Sequence, residues 1–172
     1  MVKWIAHRGN VDGPDETREN HPNYIAIALS EGFDVEIDVW RIVDECWLGH
    51  DEPQYRLDNN TLLMTKGVWC HAKNDGALQY LLNIGAVCFW HETDAHTLTS
   101  NGHAWTYPST PLRSCGPLTI DVMPEMAFGG DSSKTLTNSH KTRRWIGISG
   151  VCTDYPRMFK ESSKDQEIVT PK

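Results

Sequence analysis

The chain has 172 residues, of which 39% are hydrophobic, and this is enough for one domain with a sizeable core. Sixteen Lys and Arg residues against 23 Asp and Glu residues give a formal net charge of −7, which argues against a general binder of nucleic acids or anionic membranes. No stretch approaches the roughly 20 apolar residues of a membrane span, and the N-terminal residues show no signal-peptide core, so the expected location is the cytoplasm.

The expected domain covers residues 1–160, and a polar tail is expected at 161–172. Eight short runs rich in Val, Ile, Trp, Cys and Phe lie along the domain, and each carries charged, His or aromatic residues near its end. The runs are WIAHRG, FDVEIDVW, CWLGHD, VWCHAK, AVCFWHE, HAWTYP, LTIDVMPE and GVCTDYP. Runs of this kind, bounded by Gly, Pro and Asn, predict β-strands.

Two segments between these runs have the apolar spacing of helices. The first covers 21–32 and stops at Gly32, and the second begins at Asp75, a candidate N-cap, and stops at Gly85. The order strand, helix, strand implies parallel pairing. Eight such units predict a (β/α)8 TIM-type barrel. It is expected to be compact, with several outer helices shortened or missing, because this fold typically needs about 250 residues. An open doubly wound sheet is the alternative.

Acidic residues interrupt the second run, FDVEIDVW. Asp34, Glu36 and Asp38 alternate with apolar residues and therefore point to one face of the strand. In a barrel this face is the interior, where ionised carboxylates need a compensating cation. Carboxylate ligands of this kind suit Mg²⁺, Ca²⁺ or Mn²⁺. The alternative interpretation is an antiparallel edge strand with a solvated acidic face.

Polar and aromatic residues also lie at the C-terminal ends of the other runs. They are His7, Arg8, His50, His71, Lys73, His91, Glu92, Trp105, Tyr107, Glu125 and Asp154. Barrel enzymes assemble their active sites at these ends of the strands. Histidine serves as an acid or a base near neutral pH, so the pattern indicates a catalytic site. Asp154 is interpreted more simply as a helix cap.

The first third of the chain matches a known pattern. IAHRGN, then Glu19–Asn20 at the start of a helix, then GFDVEIDVW and WLGHDEP follow one another over residues 4–53. This order resembles the glycerophosphodiester phosphodiesterase family, whose pattern is HRG, EN, ExD and HD. The rest of the chain resembles it only through a strand that ends in x-Lys and through the count of eight strands. The resemblance implies a (β/α)8 barrel that uses a divalent metal to hydrolyse phosphodiesters.

The resemblance also implies roles for individual residues. By position, the catalytic histidines of the family fall on His7 and His50, and its metal-binding carboxylates fall on Glu36 and Asp38. Arg8 corresponds to the arginine that contacts the phosphate.

The chain departs from the family on the fourth strand, where an ExK pattern carries the third metal ligand. This sequence has His71 and Lys73 at those positions. His71 is a candidate ligand through a ring nitrogen, which would shift the preferred ion toward Mn²⁺ or Zn²⁺. Glu92 is an alternative oxygen ligand, and the family places the equivalent of Glu19 near the metal. Lys73 is expected to point at the phosphate.

These features predict a metal-dependent phosphodiesterase for glycerophosphodiester-like substrates. Arg8 and a divalent metal, Mg²⁺ or Ca²⁺ first and Mn²⁺ or Zn²⁺ as alternatives, would neutralise the phosphate. His7 and His50 would form an in-line acid–base pair, and Trp105 and Tyr107 would contact an apolar part of the substrate. The expected partner is a small phosphodiester rather than a nucleic acid. Two alternatives are a lyase that gives a cyclic phosphate and a barrel that binds a phosphorylated ligand without turnover.

Overall fold

The computed structural model describes residues 2–108, 116–142, 145 and 147–167. Each of the eight predicted runs contains a strand. The ten strands of the described chain are Lys3–His7 (β1), Asp34–Ile42 (β2), Glu45–Leu48 (β3), Tyr55–Arg56 (β4), Val68–Ala72 (β5), Cys88–Phe89 (β6), His96–Leu98 (β7), Ala104–Thr106 (β8), Thr119–Val122 (β9) and Gly150–Thr153 (β10). Its four α-helices are Pro22–Ser30 (α1), Asp75–Asn83 (α2), Ser132–Thr142 (α3) and Pro156–Glu167 (α4).

All ten strands belong to one mixed sheet. Seven of them run parallel in the order β6-β5-β2-β1-β10-β9-β8. Strand β7 pairs antiparallel with β8, while β3 and β4 extend the C-terminal half of β2 as an antiparallel meander. The carboxyl ends of the seven parallel strands therefore lie along one edge of the sheet.

The predicted closed (β/α)8 barrel is wrong, because the sheet forms an open half-barrel. Within the described residues, no strand pairing joins β6 to β7 or β8, and four α-helices are too few for eight βα units. Seven of the eight runs supply the parallel strands, and the eighth, which contains β3, pairs antiparallel with β2 instead. Only Val43 and Asp44 separate β2 from β3. A parallel return needs a crossover of about a dozen residues, so this run folds back as a hairpin instead.

Apolar residues cover both faces of the sheet. On the convex face, Val35, Ile37 and Val39 of β2 are fully buried in a cluster with residues of α1 and α2. On the concave face, rings from β5, β6 and β8 fill the interior. Phe89 stacks on Trp105 with ring centroids 4.4 Å apart, and Trp69 lies 5.8 Å from Trp105. The concave face of the half-barrel is therefore a packed floor rather than a channel.

The two predicted helices are confirmed as α1 and α2, with one change at a cap. His21 caps α1 by accepting a hydrogen bond from the backbone of Asn23, and Gly32 follows the helix with a φ of +80°. The N-cap of α2 is Asn74 rather than the predicted Asp75. Helix α4 continues to Glu167, into the segment expected to be a polar tail. None of the described helices has the length and hydropathy needed to cross a bilayer.

Candidate active site

Ten of the eleven predicted site residues line one cavity of about 370 Å³, and all of them except His50 lie in the parallel strands or directly after them. These ten are His7, Arg8, Glu36, Asp38, His50, His71, Lys73, Glu92, Trp105 and Tyr107. Glu19 lies outside this cavity, in the neighbouring one that Arg8 and His50 also line. The remaining lining residues are Phe89, His91, Pro108, Val122 and Met123.

Two buried carboxylates of β2 lie at the centre of the cavity. Glu36 and Asp38 are only 3% and 1% exposed, whereas Asp34 lies at the opposite end of the strand and contacts Lys3 and Trp69. Burial raises the pKa of Glu36, and the charge of Asp38 adds to this effect. Burial also opposes ionisation of Asp38, but its interactions with His71, Arg8 and Lys73 outweigh burial and lower its pKa.

His71 directs one ring nitrogen at the two carboxylates. Its Nε2 lies 2.9 Å from the backbone carbonyl oxygen of His91, and a carbonyl only accepts, so Nε2 carries a hydrogen. The other nitrogen, Nδ1, lies 3.1 Å from Asp38 Oδ1 and 3.8 Å from Glu36 Oε1. In the neutral ring this tautomer leaves the Nδ1 lone pair facing two carboxylate oxygens, which is the usual arrangement of a metal-binding histidine.

The donor set fits a divalent cation. One ligand atom from each of Glu36, Asp38 and His71 lies within 4.8 Å of the others. Asp38 Oδ1 is buried and accepts no hydrogen bond of regular geometry from the described residues. A cation between the three side chains would satisfy this oxygen and the Nδ1 lone pair together, and it would offset the cost of burying two carboxylates.

Two permanent cations border the same carboxylates. Arg8 Nε lies 3.2 Å from Asp38 Oδ2, and Lys73 Nζ lies 3.4 Å from Asp38 Oδ1. Glu19 does not join the group of candidate metal ligands; it accepts a hydrogen bond from Arg8 Nη1 at 2.9 Å and thereby orients the guanidinium. The Asn20 side chain donates a hydrogen bond to Asp38 Oδ2 and accepts another from the Asp38 backbone N–H. Glu19 therefore orients the Arg8 side chain, and Asn20 holds the Asp38 side chain in place.

His7 is held by a network that extends to the last strand. Its Nδ1 lies 2.9 Å from Asp154 Oδ1, and Asn10 Nδ2 donates to the same oxygen. Glu125 accepts hydrogen bonds from the backbone of Asp154 and from the Thr153 hydroxyl. An ionised Asp154 requires a hydrogen on Nδ1, which leaves Nε2 of His7 for chemistry. Burial favours neutral His7, but Asp154 outweighs burial and raises its pKa.

The role of Asp154 was missed from the sequence. Its position at the end of a strand run is a signal for the site, but the same position is also typical of a helix cap, and Asn10 has no pattern of its own. Glu125 had the same signal as Asp154. Asp154 and His7 are 147 residues apart along the chain, and they meet because β10 pairs with β1.

His50 approaches the cavity from outside the parallel strands. It follows the antiparallel strand β3 by a tight turn at Gly49, whose φ is +149° and where a Cβ would lie 2.1 Å from the carbonyl oxygen of Glu52. The His50 side chain is 41% exposed, and its Nδ1 lies 2.8 Å from Asp51 Oδ1. Burial is the main cause that lowers the pKa of His50. The two histidines therefore have different surroundings at the same cavity.

The far wall of the cavity is apolar and aromatic. Trp105 is 3% exposed and stacks with Phe89, so it is both core filling and cavity floor. Tyr107 is 40% exposed and forms part of the mouth. The carboxylate of Glu92 accepts a hydrogen bond from Trp90 Nε1 and is not one of the grouped candidate metal ligands among the described residues.

Comparisons with protein-family models, curated proteins and solved structures find no match to this chain. The function proposed below therefore depends on the geometry of the site.

Proposed function

We propose that the protein is a metal-dependent phosphodiesterase that hydrolyses small, glycerophosphodiester-like substrates. The observation that carries this proposal is one cavity lined by His7 and His50, by two permanent cations and by a buried group of two carboxylates and an imidazole nitrogen. Phosphodiester cleavage needs these parts: positive charge at the non-bridging oxygens, a base for the nucleophile and an acid for the leaving oxygen. The resemblance of residues 4–53 to glycerophosphodiester phosphodiesterases supports the choice of substrate.

The polar residues of the cavity have separate roles in the proposed reaction. Arg8 and Lys73 contact the non-bridging oxygens of the phosphate, and the hydrogen bond from Arg8 to Glu19 fixes the direction of the guanidinium. His7 and His50 exchange protons with the attacking and the leaving oxygen. Asp154 keeps Nε2 of His7 free for this exchange. A divalent cation, when bound, supplies additional positive charge at the phosphate.

Glu36, Asp38 and His71 would hold this cation. Two carboxylates alone favour Mg²⁺ or Ca²⁺, as expected from the sequence. The nitrogen of His71 shifts the preference toward Mn²⁺ or Zn²⁺, because imidazole suits first-row transition ions better than Mg²⁺ or Ca²⁺. We therefore place Mn²⁺ and Zn²⁺ first.

The test is an assay of chelator-treated protein with each of these ions added back, on a panel of glycerophosphodiesters and on a generic aryl phosphodiester. The variant Glu36→Gln removes one charge at nearly constant shape, and Asp34→Asn on the same face of β2 is the matched control. We expect Glu36→Gln to lose turnover by about a hundredfold or more and to lose the metal-induced rise in Tm. Asp34→Asn should retain both.

Two outcomes would contradict the proposal. The first is full activity in metal-free protein, and the second is full activity with metal-induced stabilisation in Glu36→Gln. Phosphorus NMR of the products separates hydrolysis from a lyase reaction, because a lyase accumulates the cyclic phosphate.

A further inference from the structure

The Asn10 side chain joins two carboxylates that support the site. It is fully buried, and its Nδ2 donates hydrogen bonds to Glu19 Oε1 and to Asp154 Oδ1, each at 2.8 Å. Its Oδ1 accepts a hydrogen bond from the backbone N–H of Asp15 at 3.1 Å. Ionised carboxylates accept and a backbone N–H donates, so these three partners fix the orientation of the amide.

Each of the two carboxylates holds one functional group of the cavity. Glu19 Oε2 accepts a hydrogen bond from Arg8 Nη1 at 2.9 Å, and Asp154 Oδ1 lies 2.9 Å from His7 Nδ1. Asn10 therefore contacts the supports of both the guanidinium and the imidazole. Because Asn10 itself is fully buried, it acts through these carboxylates and not on the substrate.

A tight turn at the end of β1 brings Asn10 back toward the residues that precede it. The Asn10 N–H donates to the carbonyl oxygen of His7 at 2.9 Å, and Arg8 and Gly9 between them have φ values of +53° and +91°. A side chain at position 9 would be strained at this angle, and its Cβ would lie 3.1 Å from the Tyr24 ring. One turn therefore carries both functional groups and the residue that joins their supports.

This position requires an amide of this length. Asparagine offers two N–H donors and one acceptor in a single planar group, and all three are used here. Aspartate has the same shape but only acceptors when ionised, serine has one donor, and glutamine is one methylene group longer. An apolar residue would leave two largely buried carboxylates without one donor each. A fully satisfied polar group holds its neighbours in one arrangement.

We propose that Asn10 is a positioning residue that couples the placement of Arg8 to that of His7. The amide keeps Glu19 and Asp154 at one separation, so that the guanidinium and the imidazole face the same phosphate in one geometry. The proposal rests on the proposed phosphodiesterase function, in which Arg8 contacts the phosphate and His7 transfers a proton. Phosphate binding and proton transfer are therefore expected to weaken together when the two N–H donors are lost.

The first test removes the amide. Asn10→Ala loses both donors, and Asn10→Ser keeps one hydroxyl donor and is the milder variant. Methyl phosphate binding to the Zn²⁺-loaded protein, measured by calorimetry well below Tm, reports the Arg8 side of the site. The kcat of the same protein on a phosphodiester reports proton transfer by His7. Asn60→Ala, which removes a hydrogen bond to Tyr80 outside the two cavities that Arg8 lines, is the matched control.

We expect Asn10→Ala to weaken methyl phosphate binding by about threefold to tenfold and to lower kcat by about tenfold or more. Asn10→Ser should show a smaller loss in both, and Asn60→Ala should change neither. A merely structural role of Asn10 would lower Tm and leave methyl phosphate binding and kcat unchanged.

The second test measures the coupling itself. Glu19→Gln and Asp154→Asn are combined, once with Asn10 and once with Asn10→Ala, and kcat/KM is compared in a double-mutant cycle. With Asn10 present, a change at one carboxylate releases the amide and loosens the other carboxylate. The combined loss should then be smaller than the product of the single losses by about threefold or more. With Asn10→Ala, the single losses should multiply to within about twofold.

Unchanged methyl phosphate binding and kcat in Asn10→Ala would overturn the inference, as would a change in only one of them or a combined loss that equals the product in both backgrounds. Failure of both Asn10 variants to fold would also overturn it, because the role would then be structural. In these cases the wild-type protein still binds methyl phosphate and cleaves a phosphodiester, so the proposed function stands. A wild-type protein that does neither would refute the proposed function, and the role of Asn10 with it.

Discussion

Replacing Asp154 by Asn tests whether this carboxylate, which follows β10, positions His7 at the end of β1 for catalysis. Asp154 Oδ1 accepts from His7 Nδ1 at 2.9 Å and from Asn10 at 2.8 Å, and the carboxylate is 10% exposed. Asparagine has the same shape, but its amide has one acceptor and one donor in place of two acceptors. The variant therefore loses the negative charge, and its amide presents either the oxygen or the NH₂ group to both His7 and Asn10.

The expected size of this effect follows from the loss of one charge-assisted hydrogen bond in a buried site. Such bonds contribute about 1.5–3 kcal/mol, and about 2 kcal/mol in the transition state corresponds to about a thirtyfold loss of kcat/KM. Asp51→Asn is the matched control, because Asp51 makes the same kind of contact with His50 but is 91% exposed. An exposed pair contributes about 0–1 kcal/mol, so this control should lose no more than about fivefold.

Kinetics alone does not separate positioning from a general disturbance of the fold, so the tautomer of His7 is measured as well. Nitrogen-15 NMR of the imidazole distinguishes a hydrogen on Nδ1 from one on Nε2. The wild-type protein should show Nδ1–H under conditions where the ring is neutral, and Asp154→Asn should show a mixture. Unchanged kcat/KM together with an unchanged tautomer would refute the role assigned to Asp154.

Three further predictions concern the ion, the pH dependence of stability and the turn before His50. His71→Glu should shift the preferred ion from Mn²⁺ or Zn²⁺ toward Mg²⁺ or Ca²⁺ in thermal-shift titrations, and an unaltered ranking would count against His71 as a ligand. The folded-state pKa of Asp154 is lowered and that of His7 is raised, so their pairing stabilises the fold where both are charged. The free energy of unfolding lost in Asp154→Asn should therefore be greatest near pH 5–6. This loss should decline below about pH 4, as Asp154 is protonated, and above about pH 7, as His7 is deprotonated. Urea unfolding of both proteins across this pH range would show a constant difference if the pairing is unimportant. Gly49→Ala should lower the free energy of unfolding by more than about 1 kcal/mol, because its Cβ would meet the carbonyl of Glu52, and wild-type stability in urea would argue against the turn geometry.

The central part of the site was predictable because period-2 alternation determines which face a strand side chain occupies. Glu36 and Asp38 alternate with Val35, Ile37 and Val39, and the structure buries the two sets on opposite faces of β2. The carboxyl ends of β1, β2 and β5 meet because these strands pair in parallel, as the helix between β1 and β2 predicts for the first pair. The sequence therefore predicts that His7, Glu36 and His71 share one site.

The open sheet was predictable from the spacing between the runs, because only five residues separate FDVEIDVW from CWLGHD, but not from the runs themselves. An apolar run indicates a strand but not the direction of its neighbour, and the run around Cys46–Leu48 looked like the other seven. The distance along the chain decided the outcome, since the two residues between β2 and β3 permit only a hairpin. His50 still reaches the cavity, because the hairpin leaves the end of β3 beside Asp38, whose carbonyl accepts from the Gly49 N–H.

The positioning network could not be read from the sequence, because its members are far apart along the chain. The Asp154–His7 contact depends on β10 lying beside β1, and nothing in a single run specifies its partner strand. The network is a property of the folded molecule, in which burial and hydrogen bonds join residues that are distant in the sequence.

The most direct test of the account is the position of a bound ion. A crystal grown with Mn²⁺ and measured near the manganese absorption edge gives an anomalous peak that locates the metal without reference to activity. Metal binding by Glu36, Asp38 and His71 predicts a single strong peak within about 2.0–2.4 Å of the two carboxylates and of His71 Nδ1. A peak elsewhere, or none between these three side chains at saturating Mn²⁺, would contradict it.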